Sequence, residues 1–149
     1  MFTNSRAVDR GLLFIRAALG VVFVMHGGQK LFQFGHEGVT GAMAGLGLPM
    51  PAVSAAAIIA VELLGGLALL SGTFTRVFAF LLAGAMGVAT VTAHLANGFF
   101  LPAGYEFTLT LMLVSLGVIF TGAGAYSVDA LVSRRERVVA PSREYQAAA

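Results

Sequence analysis

Four apolar stretches, at about 12–32, 53–70, 77–95 and 106–121, decide what this chain can become. A helix rises 1.5 Å per residue, so about 20 apolar residues cross the roughly 30 Å hydrocarbon core of a bilayer. Of the 149 residues, 58% are hydrophobic and 11% charged, and the mean hydropathy is +0.87, outside the range of a water-soluble domain of this size. The expectation is therefore all-α: an integral membrane four-helix bundle forming one domain over 1–129, followed by a polar tail over 130–149.

The first stretch is preceded by Arg6 and Arg10, as the apolar core of a signal peptide is. It is longer than such a core, carries Arg16 and lacks a small-x-small cleavage site, and so reads as a retained first span. The segment from Gly35 to Pro51 is too glycine-rich and polar to span. Its middle, Thr40 to Leu46, predicts one or two turns lying at the interface, stopped by Gly47 and Pro49. Ser71 to Arg76 and Ala96 to Gly104 read as turns.

Four spans put both termini on one side. That side holds Arg6, Arg10, Arg76, Arg134, Arg135, Arg137 and Arg143, while the other offers Lys30 at a helix end. Cytoplasmic loops carry the excess of Lys and Arg, which predicts cytoplasmic termini and a multi-pass protein of the inner (plasma) membrane. Membrane orientation also accounts for the net charge of +2, so no nucleic-acid partner is expected. The absence of cysteine excludes disulfides, thiol redox chemistry, iron–sulfur ligation and thiolate metal sites. No metal ligands are nominated.

Polar side chains inside the spans cost a few kcal/mol each unless paired, and so mark candidate sites. Counted from the midpoint of each span, Glu62 falls near the centre and Arg16 about 9 Å toward the cytoplasm. His26 lies about 6 Å outward, and Lys30, His94 and Glu106 all lie about 12 Å outward on three different helices. At 100° per residue, Arg16, Phe23, His26 and Lys30 share one face of the first helix, and His94 shares a face with Gly87, Thr90 and Val91. The bland alternatives are snorkelling or a structural ion pair with Glu62 for Arg16, and interfacial anchoring for Lys30. For the histidines the alternative is a helix–helix hydrogen bond. Gly65-Gly66 and the stripe Ala79, Ala83, Gly87 read as close-packing positions. His26-x-x-Gln29-x-x-Phe32 and His94-x-x-Asn97-x-x-Phe100 match in type and spacing, as a duplicated two-helix unit would, although short apolar segments also match by chance.

Several segments, in order, resemble the DoxX family of small four-helix membrane proteins over roughly Gly11 to Asp129. They are Arg16-Ala-Ala-Leu-Gly20 leading into His26-Gly-Gly-Gln-Lys-Leu-Phe32; Gly45-Leu-Gly-Leu-Pro49; Glu62-Leu-Leu-Gly-Gly66 with Ser71-Gly72 and Thr75-Arg76; His94-Leu-Ala-Asn-Gly-Phe-Phe100; and Tyr105-Glu106. The resemblance implies a four-helix membrane bundle associated with quinone-linked redox or oxidative-stress systems, since the family takes its name from a subunit of a thiosulfate–quinone oxidoreductase.

The leading functional expectation is a quinone-interacting subunit of a membrane oxidoreductase. Glu62, His94 and Glu106 are the candidate catalytic residues, and Arg16, His26, Lys30 and Asn97 the candidate ligand-binding residues. A quinone needs hydrogen-bond donors at its carbonyls, from His26, His94 and Lys30, and a proton route, through Glu62 or Glu106. Phe23, Phe32, Phe99 and Phe100 are candidate apolar walls. The alternatives are a non-catalytic assembly subunit or a small-molecule transporter. Haem b held by His26 and His94 ranks last, because their estimated depths differ by about 6 Å. No nucleotide or flavin fingerprint is present: Gly27-Gly28 follows no strand. Candidate partners are the bilayer, a redox partner protein and a second copy of the chain.

Overall fold

The computed structural model describes the backbone of residues 5–139 and the side chains of residues 5–135, whose regular elements are all helical, with no strand among them. Helix α1 covers Ser5–Gly28 and runs on through a π-helical segment, Gln29–Phe34. Helix α2 is Gly35–Gly45 and α3 is Pro51–Ser71. Helix α4 is Thr75–Ala89, extended by a π-helical segment, Thr90–His94, and a 3-10 turn, Leu95–Asn97. Helix α5 is Glu106–Thr121 and α6 is Val128–Val139.

The first helix starts earlier than its apolar pattern suggests, because Arg6, Asp9 and Arg10 extend it as a charged first stretch. Where one or two turns were expected after it, α2 makes three, despite five glycines in 35–47. Burial explains this: Val39 packs with Ala55 and Ile59 of α3 in a small apolar cluster, and tertiary packing outweighs poor helix propensity. His36 Nε2, 2.9 Å from the Ala52 carbonyl, ties the start of α2 to the start of α3. The segment read as a polar tail opens as α6, with Arg134 and Arg135 exposed on it. The Arg137 side chain and Arg143 lie outside the described residues.

Helix α1 packs on α3, α3 on α4, α4 on α5, and α5 back on α1. The main core is drawn from all four: Leu19 and Phe23, Leu69, Ala79, Leu82 and Met86, and Leu111 and Val118. Close approach of α1 to α3 depends on glycine. A Cβ at Gly27 would lie 2.6 Å from the Leu63 nitrogen, and one at Gly66 would lie 2.7 Å from the Val24 nitrogen. The contacting atoms are backbone and cannot step aside, so the small residue sets the helix separation. Gly65 faces the other way, against Leu82 of α4, while Ala79 and Ala83 are buried along the expected packing stripe.

Pro51–Ser71 and Thr75–Asn97 are long and apolar enough to cross a membrane, and Glu106–Thr121 is apolar but shorter. Large apolar side chains point outward along these helices, among them Leu64, Leu67, Phe80, Leu81, Leu113 and Phe120. Water would not tolerate so extensive an apolar exterior, and lipid does. The chain is a membrane protein by this measure.

One end of the assembly is stitched by polar contacts to the main chain. Arg16, fully buried, donates from its two terminal nitrogens to the carbonyls of Leu69 (3.1 Å) and Tyr126 (2.6 Å). The Asp129 carboxylate accepts from the backbone nitrogens of Phe74 (2.8 Å) and Thr75 (3.0 Å), capping α4 from the neighbouring α6. Asp9 accepts from the Ala125 nitrogen at 2.9 Å. Gly72 terminates α3 with φ 72°, and the Arg16 guanidinium fills the space a side chain would take there.

Candidate functional site

At the opposite end, where Lys30, Glu62 and His94 converge, lies a cavity of ≈ 620 Å³. It is lined by Phe23, His26 and Lys30 of α1 with Phe107, Thr108 and Leu111 of α5. Its sides are Ala57, Ile58, Val61 and Glu62 of α3 and Ala85, Ala89, Thr92 and His94 of α4. Over its outer end lie Leu46, Leu48 and Pro49 from the α2–α3 connection and Leu101 and Pro102 from the α4–α5 connection. The walls are mostly apolar with a few polar groups, the usual make-up of a small-molecule site.

The polar groups are set by local structure. Gly27 brings the α1 backbone against Glu62 and Leu63, and one turn further Lys30 Nζ donates to Glu62 Oε2 at 2.6 Å. The Glu62 side chain is 3% exposed and that of Lys30 is 21% exposed, so the pair sits at the boundary between core and cavity. Lys30 lies on the first π-helical segment and His94 closes the second. Such segments interrupt regular α-helix and recur at functional sites.

These groups are not saturated by the protein. Among the described residues nothing hydrogen-bonds Glu62 Oε1 or either ring nitrogen of His26, whose ring only packs 6.0 Å from that of Phe107. Lys30 retains two further N–H donors. His94 Nδ1 is 2.9 Å from the Ala103 carbonyl, which can only accept, so Nδ1 carries a proton. In the neutral ring Nε2 is then an acceptor without a protein partner.

The other residues nominated from the sequence sit elsewhere. Arg16 is about 21 Å along α1 from Lys30, inside the stitched end, and Glu62 pairs with Lys30 rather than with it. Glu106 Oε1 accepts from the Leu101 nitrogen at 2.8 Å and holds the α4–α5 connection. Asn97 donates to the Ala93 carbonyl one turn back, at 3.2 Å. Neither Glu106 nor Asn97 lines the cavity. Of the nominated aromatic walls only Phe23 lines it; Phe32 is outside, and Phe99 packs edge-on against Phe100 and Tyr105. Phe107 is the aromatic wall that went unnoticed; its place one residue after Glu106 was the available signal. Thr90 is engaged with Thr108 at 2.8 Å across α4 and α5, and Thr92 lines the cavity instead.

The DoxX family model matches residues 11–95, more than half of the chain. An "Uncharacterized protein" of Haemophilus influenzae is 34% identical over 122 residues, covering 79% of this chain and 87% of that protein. The "Putative oxidoreductase CatD" of Bacillus subtilis is 32% identical over 133 residues, covering 89% of this chain and 95% of that protein. No solved structure matches the chain.

Proposed function

The chain belongs to the DoxX family, and from this premise we propose that it is a four-span subunit of the plasma membrane, with both termini in the cytoplasm, that binds a quinone in the α1–α3–α4–α5 cavity for a membrane oxidoreductase. The observation that carries the reading is the set of unsatisfied polar groups in an otherwise apolar cavity: Lys30, Glu62 Oε1, His26 and His94 Nε2. The name of the Bacillus subtilis relative supports the oxidoreductase association.

A quinone is a flat apolar ring with two carbonyl acceptors, and on reduction it takes up two electrons and two protons. Lys30 and His26 are the donors suited to a carbonyl oxygen, and Phe23 and Phe107 offer flat apolar contact to a ring. His94, with Nδ1 held by Ala103, presents an acceptor suited to the hydroxyl of the reduced form. Glu62 is the acid–base group nearest the ring position, and its link to Lys30 lets a proton and a charge shift together. Glu106, engaged with Leu101, leaves proton handling to Glu62. With no cysteine and no flavin fingerprint in the chain, the electrons come from a partner protein that carries a redox centre.

The test is purification in mild detergent followed by solvent extraction and quinone analysis. Near-stoichiometric quinone is expected in the wild type, with retention reduced in Lys30→Met and His94→Ala while both variants remain folded. Equal retention in all three, or none in the wild type, would overturn the reading.

A further inference from the structure

We propose that the cavity is entered sideways from the lipid, through a gap between α3 and α4, by a membrane-dissolved amphiphile. Its polar head reaches Lys30 and Glu62 and its apolar tail stays in the gap. This rests on the ligand-binding reading above but makes a separate claim about the route and the shape of the ligand.

The gap follows from which stripe of each helix meets what. On α3, Ala57, Val61 and Gly65 lie at i, i+4 and i+8, one stripe facing α4. At its inner end Gly65 touches Leu82, since a Cβ there would be 3.0 Å from Leu82 Cδ1. One turn further out Val61 is half-buried and packs against the main core, and two turns out Ala57 is exposed; both line the cavity. On α4 the stripe that begins at Leu82 continues through Ala85 and Ala89, which also line the cavity. The two helices meet at Gly65–Leu82, and the parting between them is drawn from the exposed residues beyond that contact that also line the cavity. The side chains along the parting are small, so no bulky residue fills it.

The lips of the gap face outward. Ala57 and Thr92 are exposed and Val88 is 49% exposed, yet all three line the cavity. The flanking exterior is the apolar, lipid-suited surface that carries Leu64 and Leu81. The outer end of the cavity, in contrast, lies under the apolar side chains of two connections, which disfavour entry of a charged solute from water. A head held by Lys30 and Glu62 leaves the tail to run between Ala57, Val88 and Thr92.

The chain has no cysteine, so a single introduced thiol reports access. Ala89→Cys places it in the cavity and Phe80→Cys on the outer apolar surface. Each is reconstituted in nanodiscs, where both faces meet water, and treated with a lipid-dissolved N-alkylmaleimide or a sulfonated, water-confined maleimide. The alkyl reagent should label Ala89→Cys about ten-fold faster than the sulfonated one. Adding Ala57→Phe or, separately, Val88→Phe should slow that labelling about ten-fold and leave Phe80→Cys unchanged. Comparable labelling by the sulfonated reagent, no labelling of the cavity thiol, or no slowing by either aromatic substitution overturns the proposal. Labelling as expected in a protein that retains no quinone would keep the lateral route and reject quinone as the occupant.

Discussion

The two ends of the helical assembly hold similar polar groups in opposite states. At one end Arg16, Asp9 and Asp129 are engaged by backbone carbonyls and nitrogens from α3, the start of α4 and the approach to α6. At the other, Lys30 and Glu62 hold each other, and Glu62 Oε1, His26 and His94 Nε2 are left without protein partners beside a cavity. Neither charge type nor helix face separates these groups, since Arg16 and Lys30 are cations on the same face of one helix. What separates them is whether the main chain absorbs their hydrogen bonds.

Substitutions at the two ends should break different properties. The largest effect is expected for Arg16→Met, which leaves the buried carbonyl of Leu69 without a donor, at about 1–3 kcal/mol, and also removes the part-buried bond to the Tyr126 carbonyl. A sharply lower melting temperature in detergent should follow, with ligand retention per folded molecule unchanged. Next comes Glu62→Gln, which keeps the shape but removes the charge opposite Lys30. Quinone retention should fall about ten-fold for a loss near 1.4 kcal/mol of binding, with a smaller change in melting than for Arg16→Met. Asp129→Ala removes the acceptor for two nitrogens at the start of α4 and should cost about 0.5–2 kcal/mol of stability, read in the same melt.

The smallest effect is expected at Glu106→Gln, and it sharpens the contrast. Glu106 lies at the cavity end, yet its carboxylate is engaged by the Leu101 nitrogen, and an amide oxygen can replace it. About 0.5–1 kcal/mol of stability and no change in quinone retention are expected. Loss of ligand with unchanged melting would move Glu106 into the binding set.

Much of this was legible from periodicity and depth. The second and fourth apolar runs become α3 and α5, and the third becomes α4 with its π-helical and 3-10 extensions, each within about two residues at either end, because long apolar runs have few alternatives. Lys30 and His94 stood out as polar groups at one depth on different helices and Glu62 as a carboxylate near the centre of its span, and all three line the cavity. Helix α2 was less legible because its glycines hide a helix held by packing on Ala55 and Ile59. The place of Arg16 was illegible for another reason: one acceptor, the Tyr126 carbonyl, is a backbone atom 110 residues away, and backbone acceptors leave no mark in a sequence. Glu106 misled because depth arithmetic sees the level of a carboxylate and not the loop nitrogen beside it.

The most direct test sets Glu62→Gln beside Arg16→Lys, which keeps the cation that Arg16→Met removes, and measures melting temperature and quinone content per folded molecule in each. The expected result is a crossed pattern: Glu62→Gln melts close to wild type and loses quinone, while Arg16→Lys melts early and keeps it. Parallel loss of both properties in both variants would contradict the division between a stitched end and a binding end.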